Sequence, residues 1–143
     1  MAEISSVDFE QMVCRWTGGS FIRTPCDIRS ANQTRLEAKV SNARSTQPER
    51  ADGRLRCHWT WLRGRKGTKG KDDYQRLILG ANFYRELVLF DIPVEWILEF
   101  TATDPWKELY CSDRFGYYNT SSVAGDLWHY FLSTPAQLLQ RYG

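Results

Sequence analysis

The sequence predicts an α/β fold in a single domain of 143 residues, and three observations carry that expectation. Two segments alternate apolar and polar side chains with the period of a half-buried strand. In the first, Thr34, Leu36, Ala38 and Val40 alternate with Arg35, Glu37, Lys39 and Ser41; in the second, Leu55, Cys57, Trp59 and Trp61 alternate with Arg54, Arg56, His58 and Thr60. Two short apolar runs, 74–80 and 86–92, have the length and flanks of buried strands. Both ends of the chain read as helix, so the expected order is helix, several strands, then helices.

Taken in order, Ser5 or Ser6 caps a helix over 7–16, with Asp8 and Glu10 in its first turn and Gly18-Gly19 at its end. Phe9, Met12, Val13 and Trp16 recur at helical spacing and are assigned to the core, with Glu10 on a neighbouring side. Segment 20–28 reads as a strand weakened by Pro25, followed by a turn through Ser30-Ala31-Asn32. The strand carrying Glu37 and Lys39 spans 33–42. A polar loop over 43–53 holds Pro48 and Asp52-Gly53, both turn formers. Segment 54–62 is the clearest strand, and Trp59 and Trp61 on its apolar side are assigned to the core. The Gly/Lys/Arg stretch 64–71 reads as a mobile loop. For 74–92 the competing reading is one helix through both apolar runs. Pro93 lacks an N–H that a first helical turn leaves unpaired anyway, and so suits the start of a helix over 94–100. Beyond Asp104-Pro105-Trp106 come Tyr110, Phe115, Tyr117 and Tyr118 in loop-like sequence, then short helices over 123–132 and 135–142.

Hydrophobic content of 42% and charged content of 25% are those of a globular chain. The net charge of +2 is mild, but its distribution is not. Segment 53–76 holds eight basic and two acidic residues, a local excess of +6 that leaves −4 for the rest. Such an excess favours an anionic partner. Four widely spaced cysteines without a C-x-x-C pair read as reduced thiols of a cytosolic protein. Cys57 and His58 point to opposite faces of their strand and form no dyad, and His129 lies in an aromatic helix. No apolar run approaches the ~20 residues of a membrane span, and no targeting segment is visible. The expected location is the cytoplasm, nucleoid or nucleus, with neither secretion nor a membrane partner.

Chemistry concentrates at Asp27 and at Glu37-Ala38-Lys39, the only Glu-x-Lys in the chain. Residues two apart on a strand share a face, which sets Glu37 beside Lys39. Carboxylates that hold a divalent metal, with an ammonium alongside, suffice for phosphodiester hydrolysis. The plain alternative is an exposed ion-pair face worth a few tenths of a kcal/mol. On that alternative Asp27 is a turn residue, and Glu10 is an acid favoured by the helix dipole.

Pro25-Cys26-Asp27 followed by Glu37-Ala38-Lys39 resembles the signature of the PD-(D/E)XK nuclease superfamily, although Cys26 interrupts the Pro-Asp pair. Glu10 matches the glutamate that the first helix of that family often contributes. Residues 71–79 and 86–93, the latter ending in Ile92-Pro93 ahead of a helix, are also similar to members of the family. The similarity covers residues 10–98 and leaves the last third as a helical, aromatic extension (core 7–100, extension 101–143). The resemblance implies a restriction-endonuclease-like αβββαβ core, a central mixed sheet flanked by helices. It implies a Mg²⁺- or Mn²⁺-dependent endonuclease, with Asp27, Glu37 and the Ala38 carbonyl as metal ligands. Lys39 would orient or deprotonate the attacking water or offset charge on the phosphate, and Glu10 would hold a water or a second ion. The products would carry 5′-phosphate and 3′-hydroxyl ends.

Nucleic acid is the expected partner, with DNA favoured and a homo-oligomer compatible with so small a domain. Arg54, Arg56, Arg63, Arg65, Lys66, Lys69, Lys71 and Arg76 are assigned to phosphates, and Gly64, Gly67 and Gly70 would let the backbone approach them. The loop lacks the G-x-x-x-x-G-K-[ST] spacing of a nucleoside-triphosphate site. Trp106, Tyr117 and Tyr118 are candidates for stacking on bases. The alternatives are a non-catalytic nucleic-acid binder and an inhibitor or immunity-type module that uses the Trp/Tyr-rich last third as its surface.

Overall fold

A computed structural model describes residues 2–24, 26–45, 55–113 and 126–143. Pro25, Arg54, Phe115, Tyr117, Tyr118 and the first residues of the helix expected over 123–132 lie outside the described residues.

Helix α1 (Ser6–Thr17) begins where the Ser5 hydroxyl accepts the Asp8 N–H and ends at Gly18 in the left-handed conformation, φ 62°. The single strand expected over 20–28 is instead a hairpin of two short strands, β1 (Ser20–Phe21) and β2 (Ile28–Arg29), paired antiparallel. The chain reverses because Arg23 adopts φ 67° and the Ile22 N–H donates to the Asp27 carbonyl. Strand β3 (Arg35–Asn42) runs antiparallel to β2, and β4 (Arg44–Ser45) follows directly inside the segment expected as loop. Next come β5 (Leu55–Trp59), β6 (Arg76–Asn82), β7 (Leu87–Pro93), α2 (Val94–Phe100) and β8 (Leu109–Ser112). A π-helical turn (Leu127–Phe131), β9 (Leu132–Ser133) and α3 (Pro135–Tyr142) complete the described chain.

The fold is mixed α/β. Its central six-stranded sheet has the order β1-β2-β3-β6-β7-β9, with β3 and β6 parallel and the other pairs antiparallel. A second, antiparallel sheet has the order β4-β5-β8. The apolar runs of β6 and β7 are strands of one hairpin, not a helix, and their composition reflects cover on both faces. On one face Leu36, Ala38, Ile78 and Leu89 pack with Phe9 and Val13 of α1 and Leu138 and Tyr142 of α3. Gly80 permits this approach, since a Cβ there would lie 2.5 Å from the Phe9 ring. On the other face Leu77, Leu79, Phe90 and Ile92 meet Cys57 and Trp59 of β5, Leu109 and Cys111 of β8, and Val94 and Ile97 of α2.

Two expectations need correction. Trp61 is not core: it turns out of the strand line at φ 53° and is 49% exposed, whereas Trp59 is 2% exposed. The Gly/Lys/Arg loop is tied at several points. Arg63 Nε donates to the Lys69 carbonyl at 3.0 Å, Gly70 N–H to Asp73 at 2.8 Å, and the Tyr74 hydroxyl to the Leu62 carbonyl at 3.1 Å. The described part of the connection from β3 to parallel β6 carries β4, β5 and the tied loop.

The stretch beyond residue 100 is woven into the rest. It supplies β8 to the second sheet, β9 to the central sheet, and α3 to the helical face.

Candidate active site

Strand β2 covers the outer edge of β3 only at Arg35 and Leu36. Past that point the edge is met by a carboxylate: Asp27 Oδ2 accepts the Ala38 N–H at 2.9 Å. A strand residue directs its N–H and C=O to the same edge, so the Ala38 carbonyl also faces away from β6. Beside this edge lies a cavity of about 300 Å³, lined among others by Glu10, Asp27, Glu37, Ala38, Lys39, His58 and Thr60. Three separate segments therefore deliver the predicted residues to one place. Helix α1 brings Glu10, the turn before β2 brings Asp27, and β3 brings Glu37 and Lys39.

The alternation in β3 sets Glu37 and Lys39 on the face shared with Leu77 and Leu79 of β6. That face was expected to meet solvent, yet the second sheet and the 60–74 loop cover it, and Glu37 is 5% exposed. Burial, and then the neighbouring Asp27 charge, raise the Glu37 pKa above the ordinary carboxylate value. Burial likewise lowers the Lys39 ammonium, opposed by Glu37 and Asp27 and reinforced by Lys69. Glu10 is raised by burial and by Asp27.

Lys69 is the residue that the structure places most differently from the sequence expectation. It was assigned to phosphates, but its Nζ donates to Glu37 Oε1 at 3.0 Å across the cavity wall. Composition gave no cue as to which lysine of the basic run turns inward; the tied loop decides it. Arg76 is likewise spent within the fold, with Nε on Asp91 Oδ1 at 2.9 Å. Arg65, Lys66 and Lys71 are exposed, Arg63 is half-buried, and the exposed Arg56 lies over the Tyr110 ring at 4.8 Å. His58 stacks on Tyr110 at 4.4 Å and pairs with Glu108 at 2.7 Å. Trp106 lies against Gly67, where a Cβ would come within 3.2 Å of its ring.

Among the described residues, no three His, Cys, Asp or Glu side chains form a group able to hold a metal ion. Asp27, Glu37 and the Ala38 carbonyl are a sparser donor set of two carboxylates and one backbone oxygen. Such hard oxygen donors suit Mg²⁺, which keeps several of its waters and needs few protein ligands.

Comparison with protein-family models gives no match, and no curated protein is recognisably similar in sequence. Among the described residues, no helix is long and apolar enough to cross a membrane.

Lys69 competes with any cation for Glu37, which makes Lys69→Met informative. At pH 8 the variant is expected to bind Mn²⁺ roughly fivefold more tightly in a calorimetric titration, from loss of a partly exposed pair worth ~1 kcal/mol. Lys69 also lowers the Glu37 pKa. Its removal therefore raises that pKa further, and the acid limb of metal binding moves to higher pH. An unchanged affinity and an unchanged limb would show that the ion pair does not bear on the cavity.

Proposed function

We propose that this chain is a metal-dependent nuclease that hydrolyses phosphodiester bonds in nucleic acid, DNA being favoured, on a variant of the restriction-endonuclease-like core. The observation that carries this reading is the convergence of Glu10, Asp27, Glu37 and Lys39 from three chain segments around one cavity at the open edge of β3. Asp27, Glu37 and the Ala38 carbonyl would hold Mg²⁺ or Mn²⁺. Such an ion, when bound, polarises a phosphoryl oxygen and makes water nucleophilic near neutral pH.

The chain's own residues do the rest. Asp27, which lines the cavity, is oriented by the Ala38 N–H on Oδ2. Lys39 is half-buried, and its lowered pKa brings it closer to the range in which an amine can exchange a proton with the attacking water. Lys69 sets the charge on Glu37, and the exposed Arg65, Lys66 and Lys71 attract the polyanion. A non-catalytic nucleic-acid binder is the second reading, favoured by Lys69, which already neutralises the carboxylate an ion would need.

The test incubates plasmid, single-stranded DNA and RNA with the protein in Mg²⁺, in Mn²⁺ or in EDTA, beside Lys39→Met. Metal-dependent cutting that falls about 10²- to 10⁴-fold in the variant is expected, the range for loss of a general acid or base. Cutting that persists in EDTA or in Lys39→Met would reject the reading. Salt-sensitive binding without cutting would favour the second reading, and no binding to any nucleic acid would leave an inhibitor-type module.

A further inference from the structure

We propose that Trp61, next in the chain to the cavity-lining Thr60, is a nucleobase platform, and that the substrate strand presents unpaired bases there. The proposal rests on the nuclease reading and adds the substrate class. Trp61 directly follows Thr60, which lines the cavity with Glu37 and Lys39. By the alternation of β5 its indole should continue the buried row of Cys57 and Trp59. Instead the backbone turns at φ 53°, a sterically costly conformation for a large L-residue, and presents the ring to solvent. Hydrophobicity alone would have kept it inside.

What surrounds the ring indicates what it meets. The Arg65 guanidinium lies 5.2 Å from the indole centroid, and Lys66 and Lys71 are exposed on the same loop. An aromatic face on a loop of exposed cations fits a nucleic-acid strand, with the base on the ring and its phosphates on the cations. The loop is also tied on both sides of the platform's neighbours. Gly64 N–H donates to the Trp61 carbonyl at 3.0 Å, and Gly67 packs on Pro105 and Trp106. Bases inside a duplex have no free face for an indole, so the platform selects single strands, flaps or splayed junctions.

The test measures fluorescence anisotropy of a labelled 12-nucleotide single strand and of its blunt duplex, in EDTA so that nothing is cut. Wild-type protein should prefer the single strand. Trp61→Ala should weaken single-strand binding about five- to a hundredfold, as loss of one base–aromatic stack does, and change duplex binding less than twofold. Trp61→Phe should restore most of the loss, and the salt dependence should stay the same, because no phosphate contact is removed. Equal losses on both forms, no loss on either, or a wild-type preference for duplex would overturn the platform. The two readings fail separately. Metal-dependent cutting of single strands with unchanged affinity in Trp61→Ala sinks the platform and spares the nuclease. Selective loss of single-strand binding, with no cutting by wild type, does the reverse.

Discussion

Replacing Glu37 with glutamine is expected to abolish metal-dependent cleavage while the fold is retained or gains slightly. Glu37 is 5% exposed, and its one described hydrogen bond comes from Lys69 at 3.0 Å. Glutamine keeps the shape and an acceptor oxygen for that ammonium. It removes the charge that a divalent ion needs, and it leaves the site with Lys39 and Lys69 against only Asp27 and Glu10. The fall in kcat/KM should exceed the roughly 10²- to 10³-fold that follows loss of a single transition-state hydrogen-bond donor elsewhere. The stability effect follows from the pKa. Burial and Asp27 hold the folded-state value above the ordinary 4.5. Between the two values the folded protein therefore binds more protons than the unfolded one. The stabilising contribution is present below the unfolded pKa and is lost as pH rises through the folded pKa. Ionising this buried carboxylate is thus a cost to the fold, which glutamine relieves. Differential scanning fluorimetry at pH 7 should give a Tm no lower than wild type, and plasmid cleavage should disappear. A collapse of Tm would assign Glu37 a structural role, and retained cleavage would end its candidacy as a ligand.

Much of the frame was legible where one physical rule acts alone. The helix over 94–100 follows from Pro93, and the helix expected over 135–142 is present, opened in the structure by a capping box of Thr134 with Gln137. The two-residue period placed Glu37 and Lys39 together, and the cavity gathers Asp27 and Glu10 beside them. Illegible features were those fixed by tertiary context. The 20–28 segment has strand composition, yet Arg23 in a left-handed conformation folds it into a hairpin. Trp61 obeys the strand period in sequence and breaks it through one backbone angle. Lys69 and Arg76 look like their basic neighbours. Only the loop ties and the register of β6 opposite β7 show that each is committed to an acid, Glu37 and Asp91 respectively. Charge counting identifies the basic segment, not the destination of each charge.

The largest loss of stability is expected at Asp91, which is not among the residues lining the candidate cavity. This β7 carboxylate is 2% exposed and accepts Arg76 Nε on Oδ1 at 2.9 Å. On Oδ2 it accepts Arg141 Nη1 at 2.9 Å and the Tyr142 hydroxyl at 2.6 Å. It therefore pins the end of α3 to the central sheet, with help from Asn32, whose N–H donates to the Tyr142 carbonyl at 3.0 Å. Asp91→Ala strands a buried hydroxyl and two guanidinium groups that are partly shielded from water. The expected cost is about 3 kcal/mol, the lower end for breaking a buried pair because both arginines retain solvent contact. In urea unfolding this lowers the midpoint, and in a thermal scan it lowers Tm by about 10 °C at roughly 3 °C per kcal/mol for a chain of this size. Tyr142→Phe removes one hydrogen bond and should cost about 1 kcal/mol. Because Leu138 and Tyr142 pack in one cluster with Phe9, loosening α3 also loosens the helix that carries Glu10. Because Asp91→Ala already leaves the Tyr142 hydroxyl buried without its acceptor, adding Tyr142→Phe should lower neither stability nor any residual cleavage further. If Asp91→Ala unfolds at the wild-type urea concentration, the α3 latch carries no weight, and Glu10 is held by α1 packing alone.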